Sequence, residues 1–240
     1  MKKVVYSIGW FVILLVDMCY INSGVIRRVD HAEVQASYAF MNEEVSEVDS
    51  NVDKKYSALR AYKAVLKSEC KYLSIDDRTY VYLDKYKNFM GMNLDKPVKI
   101  AQFTVVDLDS DEIPEVVLYI EDIGYIVLHY VKDEVFGYNV VYRALLQLKM
   151  DGTYGFSSGA ADNGVGKLIF SDNSSEIDSI GYAKSNFSNG DISIRYYVNQ
   201  KEVLEEEYYA FSEKQRNKKD VVWYEFTNDN IEFVFMEMLR

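Results

Sequence analysis

Two short runs, Lys99-Ile-Ala-Gln-Phe-Thr-Val-Val106 and Val116-Val-Leu-Tyr-Ile120, decide how this chain folds. Both are rich in β-branched and aromatic residues, which favour strands over helices. Between them lies the acidic segment Asp107-Leu-Asp-Ser-Asp-Glu-Ile-Pro-Glu115. The sequence therefore predicts two consecutive strands joined by a short acidic loop.

The β pattern continues downstream of this loop. Asp151-Gly152 and Asn189-Gly190 are typical hairpin turns and divide the region into separate strands. The further strands predicted from the pattern are Tyr125–Val131, Val135–Val141, Ala144–Met150, Thr153–Ser157, Gly166–Phe170, Ile177–Ala183, Ile192–Val198 and Val221–Phe226.

Helical spacing of apolar residues flanks this β region on both sides. Before it, helices are predicted from Asp53 to Leu73, with Asn51 or Asp53 as the cap, and from Asp76 to Met90. After it, helices are predicted from Glu202 to Lys218 and from a Thr227 cap to Leu239. Helices, then strands, then helices indicate an α+β fold with a largely antiparallel sheet.

Composition excludes some classes of partner. The 240 residues are 49% hydrophobic, which is enough for a core, and 27 basic against 38 acidic residues give a net charge of −11. No concentrated basic face is visible in the sequence, so nucleic acid is not expected as a partner. Tyrosine is abundant and proline scarce, with 21 and 2 copies, which is typical of AT-rich bacterial genomes.

The N-terminus has the pattern of a secretory signal peptide. Lys2 and Lys3 precede an apolar run from Val4 to Val16, which ends at Asp17. The prediction is a signal peptide or membrane anchor at 1–24, a polar spacer at 25–52 and one α+β domain at 53–240. An uncleaved anchor, a lipoprotein modified at Cys19 and a buried cytosolic segment are the alternatives. The protein is thus expected to be secreted or anchored at the cell surface, and to contact membrane only through this segment.

The acidic loop is the strongest candidate for a metal site. Asp107, Asp109, Asp111 and Glu115 occupy positions 1, 3, 5 and 9, and Ile113 could add its backbone carbonyl. Calcium prefers six to eight oxygen ligands at about 2.3–2.6 Å. An EF-hand is excluded, because its position 12 requires Glu and holds Leu118 here. The alternative is a solvated acidic turn without metal.

The Asp107–Glu115 segment resembles the nine-residue calcium loops of integrin-type and FG-GAP repeats. It is also similar to single loops of this type in exported proteins of clostridia-like bacteria. The resemblance implies one bound Ca²⁺, with an expected dissociation constant of about 10⁻⁴–10⁻³ M. One position departs from the family pattern, since Glu112 replaces the usual Gly at the sharp turn. The loop occurs once, so a propeller is not predicted.

A second unusual stretch runs from Gly155 to Lys167 and contains a formal G-x-S-x-G around Ser157. A nucleophile elbow is excluded, because Asp162-Asn-Gly cannot begin a stable helix and both histidines precede the serine. The small residues instead allow a ligand to approach the backbone closely. The candidate ligand contacts are Ser157, Ser158, Asp162 and Asn163. The alternative is a tightly folded structural loop.

These features favour an exported binding protein over an enzyme, with an unknown protein or small ligand outside the cell as its partner. No catalytic residue is assigned, and His129 is interpreted as a core or surface histidine rather than a general base. Two alternatives stay open. One is an extracellular hydrolase with scattered carboxylates, among which Asp162 is the first candidate. The other is an extracellular inhibitor or immunity protein that exploits its acidity.

Overall fold

The computed structural model describes residues 51–159, 162–171, 174–188 and 191–240. The predicted signal segment, the spacer up to residue 50 and the predicted turn at Asn189-Gly190 lie outside these residues. None of the helices described is long and apolar enough to cross a membrane.

The α+β prediction is confirmed, since extensive antiparallel sheets are flanked by helices at both ends of the described region. The first helix, α1, covers 51–66 and buries one face at helical spacing, with Leu59, Tyr62 and Leu66 among its buried residues. The other two are α2 (Glu205–Arg216) and α3 (Asn228–Met238). The predicted cap of α3 is confirmed, because the Thr227 side chain accepts a hydrogen bond from the Asn230 amide.

A seven-stranded sheet forms the centre of the fold. Its order is β14-β5-β6-β7-β8-β1-β2, and every neighbouring pair is antiparallel except β1 and β8, which are parallel. Its strands are β1 (Tyr72–Ser74), β2 (Thr79–Val81), β5 (Ile100–Val106), β6 (Glu115–Ile120), β7 (Gly124–Val131), β8 (Glu134–Val141) and β14 (Tyr224–Glu225).

A second, fully antiparallel sheet of five strands has the order β13-β12-β11-β10-β9. Its strands are β9 (Tyr154–Ser157), β10 (Asn163–Phe170), β11 (Ser175–Ser188), β12 (Asp191–Val198) and β13 (Lys201–Val203). A separate small hairpin pairs β3 (Asn88–Phe89) with β4 (Met92–Asn93).

The central sheet is buried on both faces, which explains the continuous apolar run in β6. Val116 and Leu118 pack in a core shared with α1 and α3, whereas Val117 on the opposite face packs in a second core. That second core also contains Tyr154 of β9 and Leu168 of β10, so it joins the two sheets. The layers are therefore α1 with α3, then the seven-stranded sheet, then the five-stranded sheet, against which α2 packs.

The helix predicted at Asp76–Met90 was wrong. This segment contains β2, a short 3-10 turn at Leu83–Lys85, and the β3–β4 hairpin. The apolar residues at spacing three do not share one face, because Tyr80 is 52% exposed while Leu83 and Phe89 are buried. Pairing of β2 with β1, with Tyr72 opposite Val81, replaces the helix.

Several predicted boundaries also differ. Helix α1 already includes Asn51 and Val52, assigned above to the spacer and cap, and its helical residues end at 66. The predicted strand Ala144–Met150 is a 3-10 turn at Tyr142–Ala144 followed by irregular chain with isolated bridges at Leu146 and Lys149. The helix predicted from Glu202 begins only at Glu205, because 201–203 form β13. Of the predicted strand Val221–Phe226, only Tyr224–Glu225 (β14) forms a strand.

Candidate functional site

The acidic loop connects β5 to β6 at the end of their ladder, where Val106 pairs with Glu115. Two apolar side chains fix it to the body of the protein, since Leu108 is completely buried and Ile113 nearly so. Gly152 packs against its backbone, and a Cβ at that glycine would lie only 2.5 Å from the Asp107 carbonyl oxygen. The loop is therefore held in place from both sides.

Side-chain carboxylates fold the loop by accepting hydrogen bonds from its own backbone. Asp107 accepts from the Ser110 amide at 2.6 Å through Oδ1 and from the Glu112 amide at 3.1 Å through Oδ2. Asp111 Oδ1 accepts from the Ile113 amide at 2.7 Å. A carboxylate oxygen has two lone pairs, so each of these oxygens can still accept or ligate once more.

Asp107, Asp109 and Asp111 converge at the mouth of the loop. One carboxylate oxygen from each lies within 4.8 Å of the other two. Two oxygens on the same calcium ion cannot be farther apart than about 5 Å, twice the metal–oxygen distance. This outer triad therefore satisfies the distance condition for a shared calcium ion.

A second, inner triad consists of Asp109, Glu115 and His129, whose potential ligand atoms also lie within 4.8 Å of one another. Glu115 is completely buried and accepts from the Leu108 amide at 2.8 Å through Oε2. Its Oε1 lies 3.0 Å from His129 Nδ1. The structure thus places Glu115 with Asp109 and His129 rather than in one group with all three outer aspartates.

His129 is a buried histidine of β7, as the sequence suggested, and its ring stacks on Phe170 at 4.3 Å between centroids. Its contact with Glu115 was missed. Register gives the signal that could have found it: Val116 lies opposite Leu128 across the β6–β7 hairpin, so Glu115 comes opposite His129. The short β6–β7 connection makes this pairing accessible to sequence reasoning.

The clustered carboxylates are electrostatically unfavourable without a counter-charge. Burial raises the pKa of Asp109, and repulsion from the Asp111 carboxylate is the second largest cause of this rise. Burial raises the pKa of Glu115 from 4.5 to about 7, although His129 and the Leu108 amide act in the opposite direction. A nearby cation would favour the charged form of both groups.

The turn at the sixth loop position is present even without glycine. Glu112 has φ 71° and Ser110 has φ 70°, both in the left-handed region that non-glycine residues rarely adopt. The second sheet also reaches this turn, because Lys167 Nζ of β10 donates to Ser110 Oγ at 2.8 Å.

The four predicted ligand contacts lie at the β9–β10 hairpin but do not form one site. Asp162 accepts from the Ser185 amide at 2.6 Å, and Asn163 Oδ1 accepts from the Tyr208 hydroxyl at 3.2 Å. Ser157 Oγ accepts from Arg143. Ser158 and Asp162 line a cavity of about 350 Å³, whereas Asn163 lines a different cavity of about 150 Å³. These contacts favour the alternative of a structural loop.

Comparison with known proteins assigns no relative to this chain. It matches no family model, no curated protein and no solved structure. Its function is therefore inferred from the geometry of the acidic loop and of the surrounding side chains.

Proposed function

We propose that the Asp107–Glu115 loop binds one calcium ion in an exported protein that recognises a partner or ligand outside the cell. The observation that carries the metal proposal is the convergence of Asp107, Asp109 and Asp111 within 4.8 Å. The resemblance to single calcium loops of exported proteins points in the same direction.

The chemistry of the outer triad favours calcium over softer metals. All three side chains offer carboxylate oxygen, the ligand preferred by hard cations, whereas transition metals favour imidazole or thiolate. Asp111 is exposed, so the ion can enter from solvent. Water and the Ile113 carbonyl would complete the coordination. Glu115 stays a candidate ninth-position ligand, because each of its oxygens keeps a second lone pair beyond the contacts with the Leu108 amide and His129.

The proposed role of the ion is to brace the junction of the two sheets. The loop joins β5 to β6 of the central sheet, and Lys167 contacts it from β10 of the second sheet. If the signal segment is removed, Cys70 is the only cysteine that remains, and an intramolecular disulfide is then impossible. A bound ion would supply the cross-link that disulfides give to many exported domains.

The hydrogen bonds of Asp162, the first candidate for a catalytic carboxylate, favour a binding function over hydrolysis. Both of its carboxylate oxygens accept hydrogen bonds from the Ser185 hydroxyl, and one also accepts from the Ser185 amide. These bonds lower the pKa of Asp162, so it is poorly suited to act as a general acid. A structural role accounts for these contacts.

Calcium titration of the full chain tests the metal proposal. With a dissociation constant near 10⁻³ M, about 10 mM calcium should stabilise the fold by about 1.4 kcal/mol, seen as a rise in Tm. Asp109→Ala should abolish the rise, because it removes a shared ligand, whereas Asp95→Ala, at an exposed aspartate outside the loop, should retain it. Magnesium at the same concentration should give a smaller rise, because it demands stricter octahedral geometry. An unchanged Tm in calcium would refute the metal proposal.

Export is tested separately by expressing the full chain in a Gram-positive host and fractionating the culture. The expected result is protein in the medium or on the cell surface, lost when the Lys2–Val16 segment is deleted. Accumulation of the full chain in the cytosol would contradict the proposed location while leaving the calcium result intact.

A further inference from the structure

A cleft with aromatic walls lies beside the second core, between the central sheet and the segment at 142–148. Its volume is about 510 Å³, within the range of about 300–1,000 Å³ that is typical of small-molecule sites. Its lining includes Tyr119, Tyr125, Tyr142 and Trp223. These four rings come from β6, β7, the 3-10 turn and the segment before β14, so only the fold brings them together.

The rings form a continuous aromatic surface. Tyr125 and Tyr142 are nearly parallel, at 8° with centroids 6.1 Å apart, and Tyr119 lies 5.5 Å from Tyr125. Trp223 lies 6.1 Å from Tyr125, with its ring plane inclined by 34°. Tyr142 is 50% exposed, so part of this surface is open to solvent rather than sealed in the core.

Three polar side chains also line the cleft: Gln102, Gln147 and Asp220. Neither the Gln102 nor the Gln147 side-chain amide has a hydrogen-bond partner among the described residues. Gln147 also has φ 49°, and such strained backbone conformations cluster at ligand sites. Asp220 Oδ1 is held by Lys149 Nζ at 2.6 Å, which orients the carboxylate at the edge of the cleft.

This combination identifies the chemistry of the ligand. The cleft lining contains no basic side chain and the chain carries a net charge of −11, so an anionic ligand is disfavoured. Flat aromatic faces suit the apolar C–H face of a sugar ring, and free amides can both donate to and accept from its hydroxyls. A quaternary ammonium group also binds aromatic rings, but it has no hydrogen-bond donor or acceptor and would leave the amides of Gln102 and Gln147 unused.

We propose that this cleft binds a neutral saccharide through its aromatic surface and the amides of Gln102 and Gln147. The saccharide would be the extracellular ligand of the proposed function, so the biological setting rests on that proposal. The binding chemistry does not, because no residue of the Asp107–Glu115 loop lines the cleft. Loss of the calcium effect and loss of saccharide binding are therefore separate results.

The test measures binding of cellohexaose, maltohexaose and chitohexaose to the full chain by isothermal titration calorimetry. At least one should bind with a dissociation constant of about 1 mM or tighter. Tyr142→Ala and Gln147→Ala should each weaken it by about tenfold, because they remove a ring face and a free amide. Tyr209→Ala removes an equally exposed tyrosine on α2, away from the cleft, and should leave binding unchanged.

A spectroscopic readout places the ligand independently. The chain has two tryptophans, so Trp10→Phe leaves Trp223 as the only one, and its emission should change on saccharide binding. The proposal is overturned if none of the three saccharides binds, or if Tyr142→Ala and Gln147→Ala bind as well as the unmutated chain. It is equally overturned if tetramethylammonium binds with dependence on Tyr142 while the saccharides do not.

Discussion

Glu115 Oε1 lies 3.0 Å from His129 Nδ1, and this contact is buried between the two sheets beneath the acidic loop. The other oxygen of Glu115 is held by the Leu108 amide. The pair thus joins the start of β6 to β7 and fixes the inner end of the loop. It also places a titratable carboxyl group in an environment that disfavours its charge.

Glu115 should make stability depend on pH in the metal-free protein. Its pKa rises from 4.5 to about 7 on folding, chiefly through burial, so the native state binds more protons than the unfolded state between these values. This contribution is complete below pH 4.5 and is lost as the pH rises through about 7. The neutral Glu115→Gln variant lacks it. Relative to that variant, the unmutated chain should lose up to about 3 kcal/mol across the window.

Urea unfolding in a chelator, at steps from about pH 4 to pH 8, measures this difference directly. A difference that is constant with pH, or that grows as the pH rises, would contradict the buried, uncharged state of Glu115.

Replacing Glu112 with glycine should stabilise the folded loop through its backbone. The φ of Glu112 is 71°, which glycine adopts readily but which is strained for other residues. Left-handed conformations cost roughly 1–2 kcal/mol for residues with a Cβ, and glycine loses more backbone entropy on folding, so Glu112→Gly should raise the free energy of unfolding by about 0.5–1 kcal/mol. Urea unfolding at fixed pH provides the measurement.

Glu112→Ala is the matched control for this effect, because it also removes the carboxylate but keeps the Cβ. It should gain little or no stability. Equal gains in both variants would assign the effect to charge instead of backbone conformation.

Gly137 of β8 should not tolerate even one added methyl group. A Cβ there would overlap the ring of Tyr72, which is packed in the core on β1 and is only 1% exposed. Gly137→Ala should therefore lower the free energy of unfolding by about 1–3 kcal/mol, the usual cost of overpacking. Denaturant unfolding at fixed pH gives the value.

Gly155→Ala in β9 provides the comparison, because the nearest atom to its added Cβ would be 3.5 Å away. Its stability should change by less than about 0.5 kcal/mol. Equal stability of the two variants would show that the Tyr72 ring of β1 does not pack this closely on Gly137 of β8.

The sequence pattern correctly predicted those elements that depend only on residues close together in the chain. The strands β5 to β8 follow from alternating or continuous apolar runs, and the acidic loop is visible because its carboxylates lie within nine positions. The Glu115–His129 contact could also have been predicted, because the short β6–β7 hairpin fixes the register of its two strands. The prediction failed at 76–90, where β2 pairs with β1 and the spacing of apolar residues resembles a helix only by coincidence.

Contacts between distant segments could not be derived in the same way. The parallel pairing of β1 with β8 joins Leu73 to Phe136, and nothing local to either strand specifies it. The aromatic cleft has the same origin, because Tyr119 and Trp223 are far apart in sequence and meet only through the packing of the central sheet against 142–148. Such sites appear only when the tertiary fold is known.

The Asp162–Ser185 contact distinguishes a structural β9–β10 hairpin from a catalytic one. Ser185 donates through its amide and hydroxyl and lowers the pKa of Asp162 below 3.8. The stabilisation is therefore present above pH 3.8 and is lost as the pH falls through the lowered pKa.

Asp162→Ala should reduce Tm at neutral pH, and Ser185→Ala should reduce it less because the amide remains. The double variant should be no less stable than Asp162→Ala alone, since the two changes remove the same interaction. Additive losses in Tm, or an unchanged Tm in Asp162→Ala, would show that Asp162 is not held in this way and would reopen the case for a catalytic carboxylate.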